Sequence, residues 1–292
     1  MSDHSHARPD LNRVFAIGVT LNVIYVVAQV GFGIVGHSLA LIADAGHNLG
    51  DVLGLVLAWG AGYLATRPAT ARRTYGWRRT SIMAALLNAV FLLVAVGGIT
   101  WEALRRLHRA DPVDPDIVIW VAAAGVILNG VTAWLFMSGR KADLNIRGAF
   151  MHMAADAAVS AGVVVAGLAI RFTGWLWLDP ATSILINVVI VLGTWSLLRE
   201  SFNLATDAVP ENIDLQQVRL YLSQLPEVAA VHDLHIWAMS TTENALTAHL
   251  VIPDGSERDT FLQEVCDHLH QTFGIEHSTI QIERNAATCS LA

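Results

Sequence analysis

Hydrophobic and polar positions divide this 292-residue chain into two regimes. Six apolar runs, at 14–35, 39–64, 81–104, 116–138, 147–170 and 176–198, each reach the ~20 residues a helix needs to cross a bilayer core. They predict six transmembrane helices. The first is too long for the apolar core of a signal peptide and has no small-residue cleavage site after a short core. From about Asp207 the chain turns polar and its runs shorten. "NIDLQQVRLYLSQLP" has helical spacing, "VAAVHDLHIWAM" and "NALTAHLVI" read as strands, "RDTFLQEVCDHLHQTF" is helical and "HSTIQIE" closes as a strand. That α-β-β-α-β order predicts a compact α+β domain with helices on one face of a small sheet. The expected division is an N-terminal tail 1–13, a six-helix membrane domain 14–204, a polar α+β domain 205–287 and a tail 288–292.

Composition agrees with an integral membrane protein. Hydrophobic residues make up 54% and charged residues only 15%, against about 25% charged in soluble domains. The net charge of −7 and the scatter of arginines among short connectors argue against a nucleic-acid partner. Two cysteines, Cys266 and Cys289, make no disulfide framework and are compatible with a reducing compartment. Connector charges set the orientation. One side holds Arg8, Arg13, Arg67, Arg72, Arg73, Arg78, Arg79, Arg140, Lys141, Arg147 and Arg199, and the other only Arg105, Arg106, Arg109 and Arg171. The positive-inside bias places the richer side, and both termini, in the cytoplasm.

Within the apolar runs, "DAGHNLGD" stands out. An ionised side chain at the centre of a membrane helix costs at least ~2.5 kcal/mol, so Asp44, His47 and Asp51 call for an explanation. The fifth run carries an echo: "HNLGD" sets His47 four residues before Asp51, and "HMAAD" sets His152 four before Asp156. On a helix such a pair shares one face. In the predicted topology the second and fifth helices run antiparallel, which levels His47 with Asp156 and Asp51 with His152. Two imidazoles and two carboxylates form a tetrahedral-capable donor set that suits zinc, with cobalt and cadmium as competitors. Calcium and magnesium favour more oxygens, and copper(I) favours sulfur. Two carboxylates neutralise one dication, and protons must replace it when it leaves, so metal and protons compete for the same atoms. Asp44 lies one turn before His47 and is read as a packing or access residue; Asn22, Gln29, Asn88, Asn129 and Asn187 are read as bonds between helices.

The six apolar segments, "HNLGD", "HMAAD", "YGWRR" and a tail domain with "VHDLHIW" together resemble the cation diffusion facilitators, in their zinc-transporting branch, from about Asn12 to Glu283. The resemblance implies a homodimer that exports zinc from the cytoplasm in exchange for protons, with a cytoplasmic domain similar to a metallochaperone. It implies His47, Asp51, His152 and Asp156 as transport ligands, and a bracing charge pair, Arg79 with Asp207. An all-aspartate second-helix pair would allow manganese or iron; His47 favours zinc. Histidine, with an ordinary pKa of about 6.5, suits displacement by protons during alternating access.

The polar domain holds further donors: His232, Asp233 and His235 in one strand, His249 in the next, His268 and His270 on a helix, His277 and Glu283 around the last strand. Alternation points Asp233 and His235 one way and His232 the other, so the three serve one site only if the strand is distorted. The resemblance implies regulatory zinc on His232, His249 and Glu283, with His277 a further candidate. Cys289, His4 and His6 are additional donors in the tails, by default solvated, and His268 and His270 by default face solvent. Two other functional classes fit the letters less well. An intramembrane metalloenzyme lacks an HExxH helix and a spare general base. A metal sensor that does not transport has no need for matched ligands at membrane depth. The short connector between the fourth and fifth helices, without a histidine-rich loop, points to a bacterial inner membrane.

Overall fold

The computed structural model describes residues 11–109, 111–137, 144–253 and 259–285. His4, His6, Arg8, Arg140, Lys141 and Cys289 lie outside the described residues. Six long helices come first: α1 (Leu11–Val35), α2 (Leu39–Ala65), α3 (Thr80–Leu107), α4 (Pro115–Phe136), α5 (Leu144–Thr173) and α6 (Leu178–Ala205). Among the described residues five of them, α2 to α6, are long and apolar enough to cross a membrane. The remaining one, α1, is helical over 25 residues, with side chains described from residue 20 onward. At 1.5 Å per residue that is about 37 Å, longer than the ~30 Å hydrocarbon core.

Large apolar side chains point outward along these helices. Trp120, Val94 and Leu192 are at least 70% exposed, the surface expected where the solvent is lipid. Inside, Leu41, Val118 and Val163 are fully buried. Small residues let helices close on one another: a Cβ at Gly50 would come within 2.4 Å of the Leu92 side chain, so glycine lets α3 approach α2 beside Asp51. Termini are capped by the local sequence. Asp114 accepts from the backbone N–H groups of Asp116 and Ile117, with Pro115 opening α4. At its far end α6 stops in a left-handed turn at Asp207 (φ 60°), where the Ala208 N–H reaches back to the Asn203 carbonyl.

After α6 come α7 (Leu215–Ser223), β1 (Ala230–Ala238), β2 (Asn244–Val251), α8 (Asp259–Phe273) and β3 (His277–Glu283). The sheet order is β1-β2-β3, with β1 antiparallel and β3 parallel to β2, so α8 is the crossover that a parallel pair requires. The core of this α+β domain is Val218 and Leu222 of α7, Leu246 and Leu250 of β2, and Val265 and Leu269 of α8, all at most 2% exposed. The chain divides into two compact units, 1–56 with 88–195 and 57–87 with 196–292. The second joins the ends of α2, α3 and α6 to the α+β elements. Within it, Ser81 Oγ accepts from the Thr241 N–H at 3.1 Å and Arg78 pairs with Glu243 at 3.0 Å.

Leu250, wholly enclosed, tests this core. Leu250→Ala is expected to cost about 2–5 kcal/mol. Thermal unfolding of the full chain in detergent, followed by circular dichroism, should show a lowered first transition; an unchanged midpoint would mean that this packing does not set the domain's stability.

Candidate metal centres

Two centres are built on opposite logics, one from helix faces and the other from strand register. In the first, α2 contributes His47 and Asp51, and α5 contributes His152 and Asp156. His47 Nε2 lies 3.0 Å from Asp156 Oδ1. His152 Nε2 lies 3.5 Å from Asp51 Oδ2 and 3.6 Å from Asp156 Oδ2. Ligand atoms of His47, Asp51 and Asp156 fall within 4.8 Å of one another. His152 stands across the carboxylates from His47, with the ring centroids 6.4 Å apart and nearly perpendicular. Asp156 is buried, whereas His47 and Asp51 are partly accessible. A cavity of about 340 Å³ adjoins them, lined by Asp51, Asp156, His152, Asn22, Asn48 and Asn88 among others. The buried Oδ1 of Asn88 has no hydrogen-bond partner.

One turn before His47, Asp44 is 1% exposed and takes no place in this cluster. Gln29 Nε2 of α1 donates to Asp44 at 2.5 Å and Ser160 Oγ of α5 at 3.2 Å, while Asn48 Nδ2 donates to Gln29 Oε1. Asp44 thus ties three helices together beside the donor set. Asn187 likewise donates to Thr100 Oγ1 at 2.9 Å.

The second centre lies where β1 and β2 pair His232 with His249. Glu283, opposite Val251 on the parallel β3, is nearly buried and reaches both: Oε2 is 3.0 Å from His232 Nε2 and Oε1 is 3.0 Å from His249 Nδ1. Ligand atoms of the three lie within 4.8 Å of one another. The buried His249 Nδ1 makes no hydrogen bond despite that short distance. Such an orphaned nitrogen facing a carboxylate and a second imidazole fits a metal ion held between them.

Strict alternation fails in β1. The register shifts between His232 and His235, and Asp233 adopts φ 49°, a left-handed conformation that aspartate tolerates better than most residues. The bulge aims Asp233 toward His249, placing Oδ2 3.4 Å from its Nε2, while Oδ1 is 2.8 Å from His235 Nε2. Its hydrogen bond with His235 holds the Asp233 carboxyl below the ordinary carboxylate range. The Asp233 contact was not foreseeable from spacing, because a bulge leaves no periodic trace in the letters.

His277 does not join this cluster. It opens β3 opposite Ala245, six residues or about 20 Å of strand from Glu283, and its ring packs edge-on against Tyr75 at 5.5 Å. His268 and His270 are on the exposed face of α8, with His268 stacked on Tyr221 at 4.1 Å. Cys266 is half-buried, and burial raises its thiol pKa above the ordinary value. The Arg79 guanidinium contacts the Asp207 carboxylate, both about half exposed.

Residues 15–204 match the family model for the cation efflux transmembrane domain, and residues 210–285 that for the cation efflux protein cytoplasmic domain. The metal cation efflux system protein CzcD of Cupriavidus metallidurans is 36% identical over 96% of this chain and 89% of its own. The zinc transporter ZitB of Escherichia coli is 35% identical over 96% of this chain and 90% of its own. A cadmium, cobalt and zinc/H(+)-K(+) antiporter of Bacillus subtilis is 32% identical over 97% and 92%. Among solved structures, the metal-bound C-terminal domain of CzcD is 36% identical over 24% of this chain and 99% of its own, with a TM-score of 0.23.

A carboxylate facing the remote nitrogen of a ligating histidine fixes its tautomer, and losing one typically weakens metal binding about 10–100-fold. Asp233→Ala is therefore expected to lower zinc affinity at the His232/His249/Glu283 cluster by that factor, read by competition with a chromophoric chelator in a background where Asp51→Asn and Asp156→Asn silence the membrane cluster. Unchanged affinity would show that Asp233 orients nothing.

Proposed function

This chain belongs to the cation efflux family, and we propose that it exports zinc from the cytoplasm in exchange for protons. It is a membrane transporter of metal cations and not an enzyme. The observation that carries the finer reading is the convergence of His47 and Asp51 from α2 with His152 and Asp156 from α5. Two nitrogens and two oxygens match the chemistry of zinc, with cadmium and cobalt the nearest competitors. With the pocket facing the cytoplasm, neutral imidazoles and ionised carboxylates capture the dication. Rocking of the helices turns the same pocket to the far side, where protons take the donor atoms and the metal departs. The antiporter name of the Bacillus relative supports proton exchange.

In this reading both termini are cytoplasmic and the membrane is a bacterial inner membrane. Charge placement supports the orientation: three of the four arginines assigned to the far side are neutralised, Arg105 and Arg106 by Glu102, Arg106 also by Asp111, and Arg171 by Asp116. Residues 14–204 form the membrane domain and 205–287 a cytoplasmic domain that dimerises the protein and binds regulatory zinc at His232, His249 and Glu283. Arg79 and Asp207 brace the start of α3 against the end of α6. The pair is solvent-exposed and adds only about 0–1 kcal/mol of stability, so its contribution is to geometry.

Zinc flux into proteoliposomes under an imposed pH gradient tests the transport reading. Native protein is expected to carry zinc against the proton flow, with Asp51→Ala and Asp156→Ala reduced to the rate of empty vesicles while remaining folded. Variants as active as native would make the paired motifs packing residues; zinc binding without flux in the native protein would make it a sensor.

The brace has its own readout. Arg79→Asp and Asp207→Arg should each slow flux severalfold with little change in melting temperature, and the double exchange should recover it. A double variant as slow as either single one would sink the pairing.

A further inference from the structure

Between the end of α2 and the start of α3, the stretch Arg72–Arg79 carries four arginines, and only two have acidic partners. Arg78 pairs with Glu243 and Arg79 with Asp207; Arg72 and Arg73 have no ion pair among the described residues. The loop that carries them is built rather than slack. Thr70 and Arg73 exchange two backbone hydrogen bonds of 3.0 Å, and Thr70 Oγ1 accepts a third from the Arg73 N–H at 3.1 Å. Gly76, at φ 70°, closes the next turn onto the Arg73 carbonyl. The Arg73 guanidinium stacks 3.8 Å over the Trp77 ring. Stacking uses the face of the guanidinium and leaves its in-plane N–H donors unspent.

These side chains line a cleft of about 580 Å³ with Tyr75, Trp77, Trp237 and Met83. The loop joins two helices long and apolar enough to cross a membrane, so it lies beside one face of the bilayer. An apolar track leads from the cleft along α3: Met83 is 41% exposed and Leu87, one turn further on the same face, 64%. Planar guanidinium donors suit a phosphate, and interfacial tryptophan and tyrosine suit the headgroup layer. A soluble phosphate has no use for the track, whereas an acyl chain does.

We propose that this cleft binds the phosphate of an anionic phospholipid, with Arg72 and Arg73 as its donors and the Met83–Leu87 face receiving the chain. Such a site fits the basic pockets through which membrane proteins recognise acidic headgroups. It is independent of the metal chemistry, and its test does not read transport.

The experiment is native mass spectrometry of the full chain in detergent, titrated in parallel with phosphatidylglycerol, phosphatidylcholine and inorganic phosphate. Native protein should retain phosphatidylglycerol selectively, and Arg72→Gln with Arg73→Gln should weaken retention by about tenfold per arginine, the size of one charge-assisted hydrogen bond. Arg199→Gln with Arg219→Gln, which removes the same charge elsewhere, should leave retention unchanged. Leu87→Gln should weaken it severalfold. Equal retention of phosphatidylcholine, equal loss in the charge-matched control, or displacement of the lipid by inorganic phosphate would each overturn the proposal. Should the double variant prove unfolded by circular dichroism, Arg72→Gln alone, which disturbs no stacking, carries the same comparison.

Discussion

The constraint on which the membrane part of this molecule depends is that no ionisable group can be left alone in hydrocarbon. Asp179, at the start of α6, accepts from Ser38 Oγ and from the backbone N–H groups of Leu39 at 2.6 Å and Ala40 at 3.3 Å. It thereby satisfies donors that the first turn of α2 would otherwise leave unpaired. Asp44 is held by donors from α1 and α5, and Asp156 faces His47 and His152. Apart from His152 with Asp156, which lie one turn apart on α5, each contact joins one helix to another. Helix positions around α2 follow from where these carboxylates find partners, and the apolar contacts fill the space between.

In the α+β domain the difficulty lies in strand geometry. There the cost is conformational. Holding Asp233 in a left-handed bulge costs about 1–3 kcal/mol, and the surrounding sheet must hold it there. What the strain obtains is direction: two neighbouring residues of β1, which alternation would send to opposite faces, both turn toward His249. Cross-strand pairing sets His232 against His249, and the parallel register of β3 brings Glu283 within reach of both.

Much of this was legible because length and period report directly on helices. The apolar runs located all six to within a few residues at most ends, although α6 continues to Ala205, past Arg199, where apolarity ceases but helix propensity does not. His47 with Asp51 and His152 with Asp156 could be seen as pairs because a helix fixes what lies four residues away. The partners of Asp44 could not, since Gln29 and Ser160 reach it only through tertiary packing. In the sheet, His232, His249 and Glu283 were nameable only through family resemblance. The same resemblance offers His277 as a further candidate, and strand register, which the letters do not carry, puts it opposite Ala245. The bulge at Asp233 required the backbone itself.

The antiparallel run of α2 and α5 has one more implication. Moving along either helix or across from one to the other, the near neighbour of each imidazole in this cluster is a carboxylate: His47 faces Asp156, His152 faces Asp51, and His152 shares its own helix face with Asp156. The donors form a checkerboard of bases and acids. Parallel helices would instead have set carboxylate opposite carboxylate and imidazole opposite imidazole across the gap between the helices. In the checkerboard, two protons distributed over the imidazoles balance the two aspartates as fully as one dication does. A four-residue spacing written twice, on helices of opposite sense, therefore yields a donor set whose charge either one dication or two protons would balance.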